Sequence, residues 1–400
     1  MNGWTQRVSV VVCAYTTRRW DDLQASIESV RAQPEADEVV LVIDHAPELL
    51  ALALARWDDV VIVENAQRRG LSGSRNTGVL EASGDVVAFL DDDAVAEPDW
   101  VRLLVEPFVD LDVVGVGGRA EPVWPAGGRR FYSDELLWVV GCSYAGLPEG
   151  DADVRNVLGC TMAFRRWDLV QAGGFDLDTG RVGRIPLGCE ETQLCIRLRQ
   201  DDPDARIVLR PAALVQHRVT PDRVTWSYLL RRGFFEGVSK AALARELGRE
   251  DSLSTESHYL SRTLPGAVLR ELGLAGRGGL RRAAAIVACV AATVAGWALG
   301  TVAGARLGGA GSIAETADLL ERAGRRARRP SSARPRRASL LVLPRRRLPV
   351  RPSDVASRAT PSGSSAATPS PPAPASSSGS SRPAPSRPSA SASTRPSTRP

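Results

Sequence analysis

Residues 84–94, Gly-Asp-Val-Val-Ala-Phe-Leu-Asp-Asp-Asp-Ala, decide the reading of the fold: five apolar residues stop at three consecutive aspartates. A short apolar run between turn residues suits a strand buried on both faces of a parallel sheet. Upstream, residues 8–14 (VSVVVCA), 39–43 (VVLVI) and 60–63 (VVIV) are expected to be buried strands of the same kind. A helical pattern through Leu23, Ile27 and Val30 follows the first run, and a second helix, capped by Ser72 and ended by Gly84, precedes residues 86–90. Strands alternating with helices predict an α/β fold with a doubly wound, mostly parallel, Rossmann-like sheet. Ligands of such sheets sit beyond the carboxyl ends of the strands. Tyr15-Thr16-Thr17, Asp44-His45 and Asp91-Asp92-Asp93 all fall at those ends.

Downstream, residues 113–116 predict another strand closed by Gly117-Gly118, and residues 119–155 read as an irregular, substrate-covering region. Residues 160–164 and 206–209 predict strands, while 166–172, 190–198 and 226–247 predict helices. Residues 283–305 carry no charge and exceed the ~20 residues that cross a bilayer. They read equally as a membrane span or as a buried or surface-lying helical pair broken at Gly296 and Gly300. The expected organisation is a catalytic domain over 1–225, a helical and membrane-associated region over 226–322, and a disordered Arg/Ser/Pro/Ala-rich tail over 323–400.

Composition narrows the function class. From Ala323 onward Asp354 is the only acid, while seven arginines lie between Arg325 and Arg337. These outweigh the whole-chain net charge of +5, so the remainder is net acidic and the basic pI of about 9.1 describes the tail. Nucleic acid is therefore not an expected partner. The six cysteines form no C-x-x-C pair, which argues against a zinc site or a disulfide framework and for a reduced cytoplasmic compartment. The N-terminus runs into the strand pattern at Val8 without a charged-then-apolar stretch of signal-peptide length, so export by that route is not expected.

Asp91 and Asp93 form a D-x-D at a strand end, a fixed anchor for Mg²⁺ or Mn²⁺ that would neutralise a departing nucleoside diphosphate. A solvated acidic turn is the competing reading. Mutual repulsion of three adjacent carboxylates favours a cation. Arg75, expected on the first turn of its helix, could meet a diphosphate, and Asn76 could bond the nucleotide or the aspartate loop. Glu190 and Glu191 open a helix, where one carboxylate could act as general base, although acids favour helix starts for dipole reasons alone. His217 is a candidate third ligand for metal or phosphate.

These pieces, in this order, resemble glycosyltransferase family 2 with its GT-A fold. The matching stretches are VSVVVCAYTTRRWDDLQASIESV, VLVIDHAP, GLSGSRNTGVLEASGDVVAFLDDDA, VRNVLGCTMAFRR, GGFD and GCEETQLCIRLRQ, spread over residues 7–220. The stretch after Arg223 also resembles actinobacterial-type transferases of cell-envelope or lipid-linked glycans. The resemblance implies donor binding by Ala14, Tyr15, Thr16 and Asp44, with Arg75 and Asn76 nearby. It places metal and diphosphate on Asp91 and Asp93, Asp92 towards the nucleotide sugar, and His217 near the metal. It implies an inverting single displacement with the base in the Glu190-Glu191 pair, Glu191 favoured. The second strand ends in Asp-His-Ala-Pro, and Gln193 stands where the family often has an acid; both depart from the pattern.

The expected activity is transfer of a sugar from a UDP-, GDP- or dTDP-sugar to a glycan or lipid-linked acceptor, at the inner face of the cell membrane. A sugar nucleotidyltransferase would need a glycine-rich loop after the first strand, which CAYTTRRW lacks. A non-catalytic nucleotide-sugar-binding protein would not need both the Asp triplet and the Glu pair. Asp93→Ala is expected to abolish metal-dependent turnover with the fold intact.

Overall fold

The structure, a computed structural model, describes residues 6–179, 187–273 and 277–306. The expected tail over 323–400 lies outside them. Four strands, β1 (Val8–Ala14), β2 (Glu38–Ile43), β3 (Val61–Glu64) and β4 (Val86–Asp91), run parallel in the order β3-β2-β1-β4. The valine-rich runs face two ways. Val10, Val12 and Leu90 pack with Leu23, Ile27 and Val30 of α1 (Trp20–Arg31), and with Leu49 of α2 (Pro47–Arg56). Val11 and Phe89 pack on the opposite face with Val79 of α3 (Leu71–Glu81).

Two local readings change. β3 is an edge strand rather than a buried one, so Val61 is 41% exposed. The start of α3 is set by Gly70, whose φ of 138° only glycine adopts without strain. Ser72 therefore lies inside the first turn, and its hydroxyl donates to the Thr179 carbonyl at 3.0 Å. Arg75 falls two residues deeper than expected, in the second turn.

The rest of the sheet is mixed. It contains β5 (Ala94–Ala96), β6 (Val113–Val123), β7 (Ala152–Asp153), β8 (Thr161–Arg165) and β9 (Arg206–Arg218), with α4 (Trp100–Val105), α5 (Arg166–Gln171) and α6 (Glu190–Asp201) between them. β8 inserts antiparallel between β4 and β6, and β9 pairs parallel with β6 and antiparallel with β5 and β7. Gly117 and Gly118 do not close a strand. β6 continues through them to Val123, because a side chain at either position would collide with Val157, or with Thr161 and the Ala213 carbonyl. The region expected to be irregular thus begins as strand and includes a 3-10 turn at Asp134–Val140.

The strand order reverses between β1 and β4, so their carboxyl ends open the crevice where doubly wound sheets hold ligands. The chain continues through α7 (Trp226–Glu246), whose Tyr228 and Arg232 line the crevice, into α8 (Arg249–Leu253), α9 (Glu256–His258), α10 (Leu264–Gly273) and α11 (Arg277–Arg306). α11 is one continuous helix, unbroken at Gly296 and Gly300. Its glycines face α7 and permit backbone contact. A Cβ on Gly296 would sit 1.9 Å from the Phe234 carbonyl oxygen, and one on Gly237 would sit 2.0 Å from that of Thr293. Contacts of Gly233 with Cys289 and of Gly300 with Val238 show that the two helices run in the same direction.

Gly296→Ala is expected to lower stability by about 1–3 kcal/mol through overpacking. Gly266→Ala in α10, where an added Cβ meets nothing within 4 Å, is expected to be neutral or to stabilise by up to about 1 kcal/mol through helix propensity. Paired thermal melts of the two variants check the contrast.

Candidate active site

The site is assembled by strand ends and by one pairing register. β4 ends at Asp91, and Asp92 and Asp93 link it to β5. β5 pairs with β9 so that Ala94 lies opposite His217, which brings the imidazole beside Asp93. His217 Nε2 lies 3.2 Å from Asp93 Oδ1. Arg19 and Arg223 approach the other oxygen, Asp93 Oδ2, at 3.2 and 3.1 Å. Although burial would raise it, the charges of His217 and Arg223 hold the Asp93 carboxyl well below the usual carboxylate range. Burial opposes the charge on His217, yet Asp93 carries its imidazole up to about 10. Cys142 Sγ lies 3.5 Å from Nδ1 and fixes the ring from behind.

Asp92 Oδ1 accepts from Arg19 at 2.7 Å, while its Oδ2 is buried without a hydrogen-bond partner. Burial, aided by the charges of Asp93 and Asp91 and opposed by Arg19, pushes this carboxyl up to about 7. Asp91 is the most open of the three and meets only the long edge of Arg75, at 3.5 Å. Asp91, Asp93 and His217 present ligand atoms within 4.8 Å of one another, the one such metal-holding group among the described residues. Two carboxylates and an imidazole suit Mn²⁺, whereas Mg²⁺ prefers oxygen alone. The repulsion argument made from sequence needs correction. Arg19, His217 and Arg223 already offset the triplet, so the case for a metal rests on the convergent ligand geometry of Asp91, Asp93 and His217.

Asp93 is also a poor place for a clean truncation. Removing a buried carboxylate that holds three cations destabilises by about 3–5 kcal/mol, so the expectation that Asp93→Ala leaves the fold intact is not supported.

Arg75 crosses the floor of the cleft. Its guanidinium bonds Glu190 Oε1 at 3.0 Å and the Gly159 carbonyl at 2.8 Å, and packs over the Phe175 ring. It thereby ties Asp91 on one side to Glu190 on the other. Cys189, in the left-handed region at φ 75°, turns the chain into α6. Such strain in a non-glycine residue persists only where the surroundings enforce it. The two glutamates separate in environment. Glu190 is buried against Arg75, with Oε2 unpartnered. Glu191 is half-buried on the cleft wall, and burial together with the Glu190 charge pushes its carboxyl up to about 8.

The remaining candidates sit nearer the sheet. The Ala14 carbonyl accepts from the Asp44 amide at 2.8 Å, locking the ends of β1 and β2. Asp44 accepts from Asn65 Nδ2 at 2.8 Å and from the Gly70 amide at 3.0 Å. Thr16 caps the turn that carries Arg19, whose guanidinium lies 5.6 Å from the exposed Tyr15 ring. Asn76 is turned away from the aspartates and clamps Phe175, donating to its carbonyl at 2.8 Å and accepting from its amide at 2.7 Å. His45 bonds the Gln67 carbonyl at 3.0 Å in place of the acid the family pattern expects.

Sequence reasoning missed Arg19, Arg223 and Arg232. Arg19 stood directly after a strand end, which was a usable signal. Arg223 and Arg232 carry none, because they reach the cleft from segments packed there only by the tertiary fold.

The family model "Glycosyl transferase family 2" matches residues 9–169. The chain is 37% identical over 242 residues to the glucosyl-dolichyl phosphate glucuronosyltransferase of Haloferax volcanii, covering 59% of this chain and 77% of that one. It is 25% identical to the succinoglycan biosynthesis protein ExoM of Rhizobium meliloti, covering 62% and 78%. Among solved structures it is similar to a mannosyltransferase from Pyrobaculum calidifontis in complex with GDP-Man and Mn²⁺, at 18% identity and TM-score 0.45, covering 73% of this chain and 88% of that one. The expected actinobacterial-type resemblance gives way to an archaeal relative at the highest of these identities. With a relative 37% identical and matched over 77% of its length, this chain belongs to glycosyltransferase family 2.

Proposed function

We propose that the chain transfers a hexosyl or glycuronosyl unit from a UDP-, GDP- or dTDP-sugar to a hydroxyl of a polyisoprenyl-phosphate-linked saccharide, by inverting single displacement at the cytoplasmic face of the membrane. The observation that carries this reading is one cleft with a carboxylate–imidazole ligand set at one end and the half-buried Glu191 at the other, joined by Arg75. The acceptor class is taken from the name of the Haloferax volcanii relative and from the helical region behind the cleft.

Glu191 takes the acceptor proton, and the freed oxygen forms the new bond to the anomeric carbon from the face opposite the diphosphate. The bond to the diphosphate breaks, and the nucleoside diphosphate leaves with its electron pair. A base with a pKa near the working pH combines sufficient population of the deprotonated form with driving force for proton transfer. A divalent cation on Asp91, Asp93 and His217, with Mn²⁺ the better match, would neutralise the charge developing on the leaving group. Arg19, stacked near Tyr15 and paired with Asp92, lies where the nucleotide end of the donor would pass. Glu190, paired with Arg75 at 3.0 Å, positions the base beside it.

Thermal-shift measurements with UDP-, GDP- and dTDP-sugars, with and without Mn²⁺, are expected to show a shift for one nucleotide class that grows with the metal; no shift with any donor would overturn the reading. Asp91→Asn is the suitable metal probe, since Asp91 is partly exposed and weakly paired. It is expected to weaken Mn²⁺ binding by about 10–100-fold at unchanged melting temperature.

Glu191→Gln is expected to keep donor affinity while kcat falls by about 10²–10⁴-fold. In the unmodified protein kcat should rise with pH towards a plateau above pH 8. The sign for stability is opposite. A carboxyl raised from 4.5 to about 8 in the folded state contributes stability below pH 4.5 that is lost as pH rises through 8. The Gln variant should therefore melt higher than the parent at pH 9 and equally at pH 4.5. Equal melting at both pH values would remove Glu191 from its buried, raised environment.

A further inference from the structure

We infer that α11 docks the protein onto an anionic lipid bilayer by lying in the plane of its surface, with α7 as its roof, and that it does not cross the bilayer. This reading uses the C-terminal helices alone and stands whether or not the acceptor is lipid-linked. Between Gly278 and Ala303 the most apolar 18-residue window has a mean hydropathy of 2.0, the range of a membrane span, yet only a third of that window is buried within the protein. One face is taken. Ala285, Ile286 and Cys289 pack into the core below the cleft, and Gly296 and Gly300 press on α7. The other face is apolar as well. Leu280, Val287 and Val294 recur every seven residues and are 61%, 57% and 59% exposed, and Ala284, Ala291 and Ala298 fill the spaces between them. A helix apolar all round belongs in a core or in lipid, and this one has only half a core.

The seating against α7 decides between spanning and lying flat. α7 runs alongside the middle of α11 in backbone contact and carries Arg231, Arg232, Glu236, Lys240, Arg245 and Glu246. If α11 crossed the hydrocarbon, these charges would be drawn in with it, or the glycine-lined seam would have to open. Lying flat keeps α7 on the aqueous side and places only the stripe from Leu280 to Val302 in the acyl boundary. Charge identifies the occupant. Arg281 is exposed at the start of the helix, and from Arg306 to Arg329 the sequence holds six arginines against three acids, Glu315, Asp318 and Glu321, a net basic flank. Such a basic flank is attracted to anionic headgroups and repels a second copy of itself.

The test uses the full chain, flotation with phosphatidylglycerol-containing vesicles against vesicles of phosphatidylcholine alone, and a Val287→Asp/Val294→Asp double variant. Wild type is expected to float with the anionic vesicles. The double variant is expected to bind about tenfold more weakly or worse, at unchanged melting temperature and unchanged transfer to a detergent-dispersed acceptor. Protease added outside the vesicles should remove the C-terminal tail of the bound wild type, since in-plane docking leaves it on the same side as the cleft. A protected tail would mean that α11 spans, and would overturn the inference. Equal vesicle binding by the double variant would also overturn it, as would a concentration-dependent dimer of the wild type that the variant abolishes without any vesicle binding. Should the acidic variant fold poorly, Leu280→Ala/Val287→Ala/Val294→Ala removes apolar area without adding charge and should weaken binding in the same direction.

Discussion

Asp93, a fully enclosed carboxylate, is gripped by three cations that the chain delivers from far apart: Arg19 after the first strand, His217 on the last, and Arg223 in the turn beyond it. An isolated carboxylate at that depth would be neutralised or unstable, and each cation alone would be similarly costly to bury. Together they fix the end of β4 against β9 and hold the turn that leads into the C-terminal helices. The crevice at the sheet reversal owes its shape to this cluster. The cluster leaves its neighbour Asp91 more open, paired with the edge of Arg75 at 3.5 Å.

The two glutamates show how one dipeptide reaches two environments. Glu190 has a guanidinium at 3.0 Å, and Glu191 has no such partner and feels its neighbour's charge instead. The helix start places them one after the other, so their directions differ by about 100° around the axis. One points to the cleft floor and one to the cleft wall. Pairs of acids driven apart by environment are a common mark of acid–base sites, and the unfavourable burial of Glu191 is the kind of local instability that activity tends to retain.

Much of the sheet was legible because its strands are short valine-rich runs bounded by turns, a pattern with few alternatives. The aspartate triplet and the glutamate pair were legible for a related reason, since each follows directly on a recognisable strand end or helix start. What was not legible depends on pairing over long separations. β5 is three residues beside an acidic turn, and its register with His217, 123 residues away, leaves no local trace. The same holds for Arg223 and Arg232, which enter the cleft only through the packing of α7. Gly117 and Gly118 misled the reading because glycine marks both strand ends and close crossings, and here it marks a crossing. Asn76 looked like a ligand-binding residue and is occupied by the Phe175 backbone, a contact across 99 residues.

The packing beneath the cleft has an evolutionary corollary. Trp138, Val139 and Val140 form one wall of the cleft, and the layer that supports Val139 and Val140 includes Leu264, Ile286 and Cys289 from helices more than 120 residues downstream. The sugar-transfer half and the helical half therefore cannot be exchanged between relatives as independent cassettes. A graft joined near residue 225 would inherit a wall without its foundation, and drift in the helices should be tracked by compensating change in the 131–142 segment. The shape of that wall and the packing of the helices beneath it are, in this architecture, a single inherited trait.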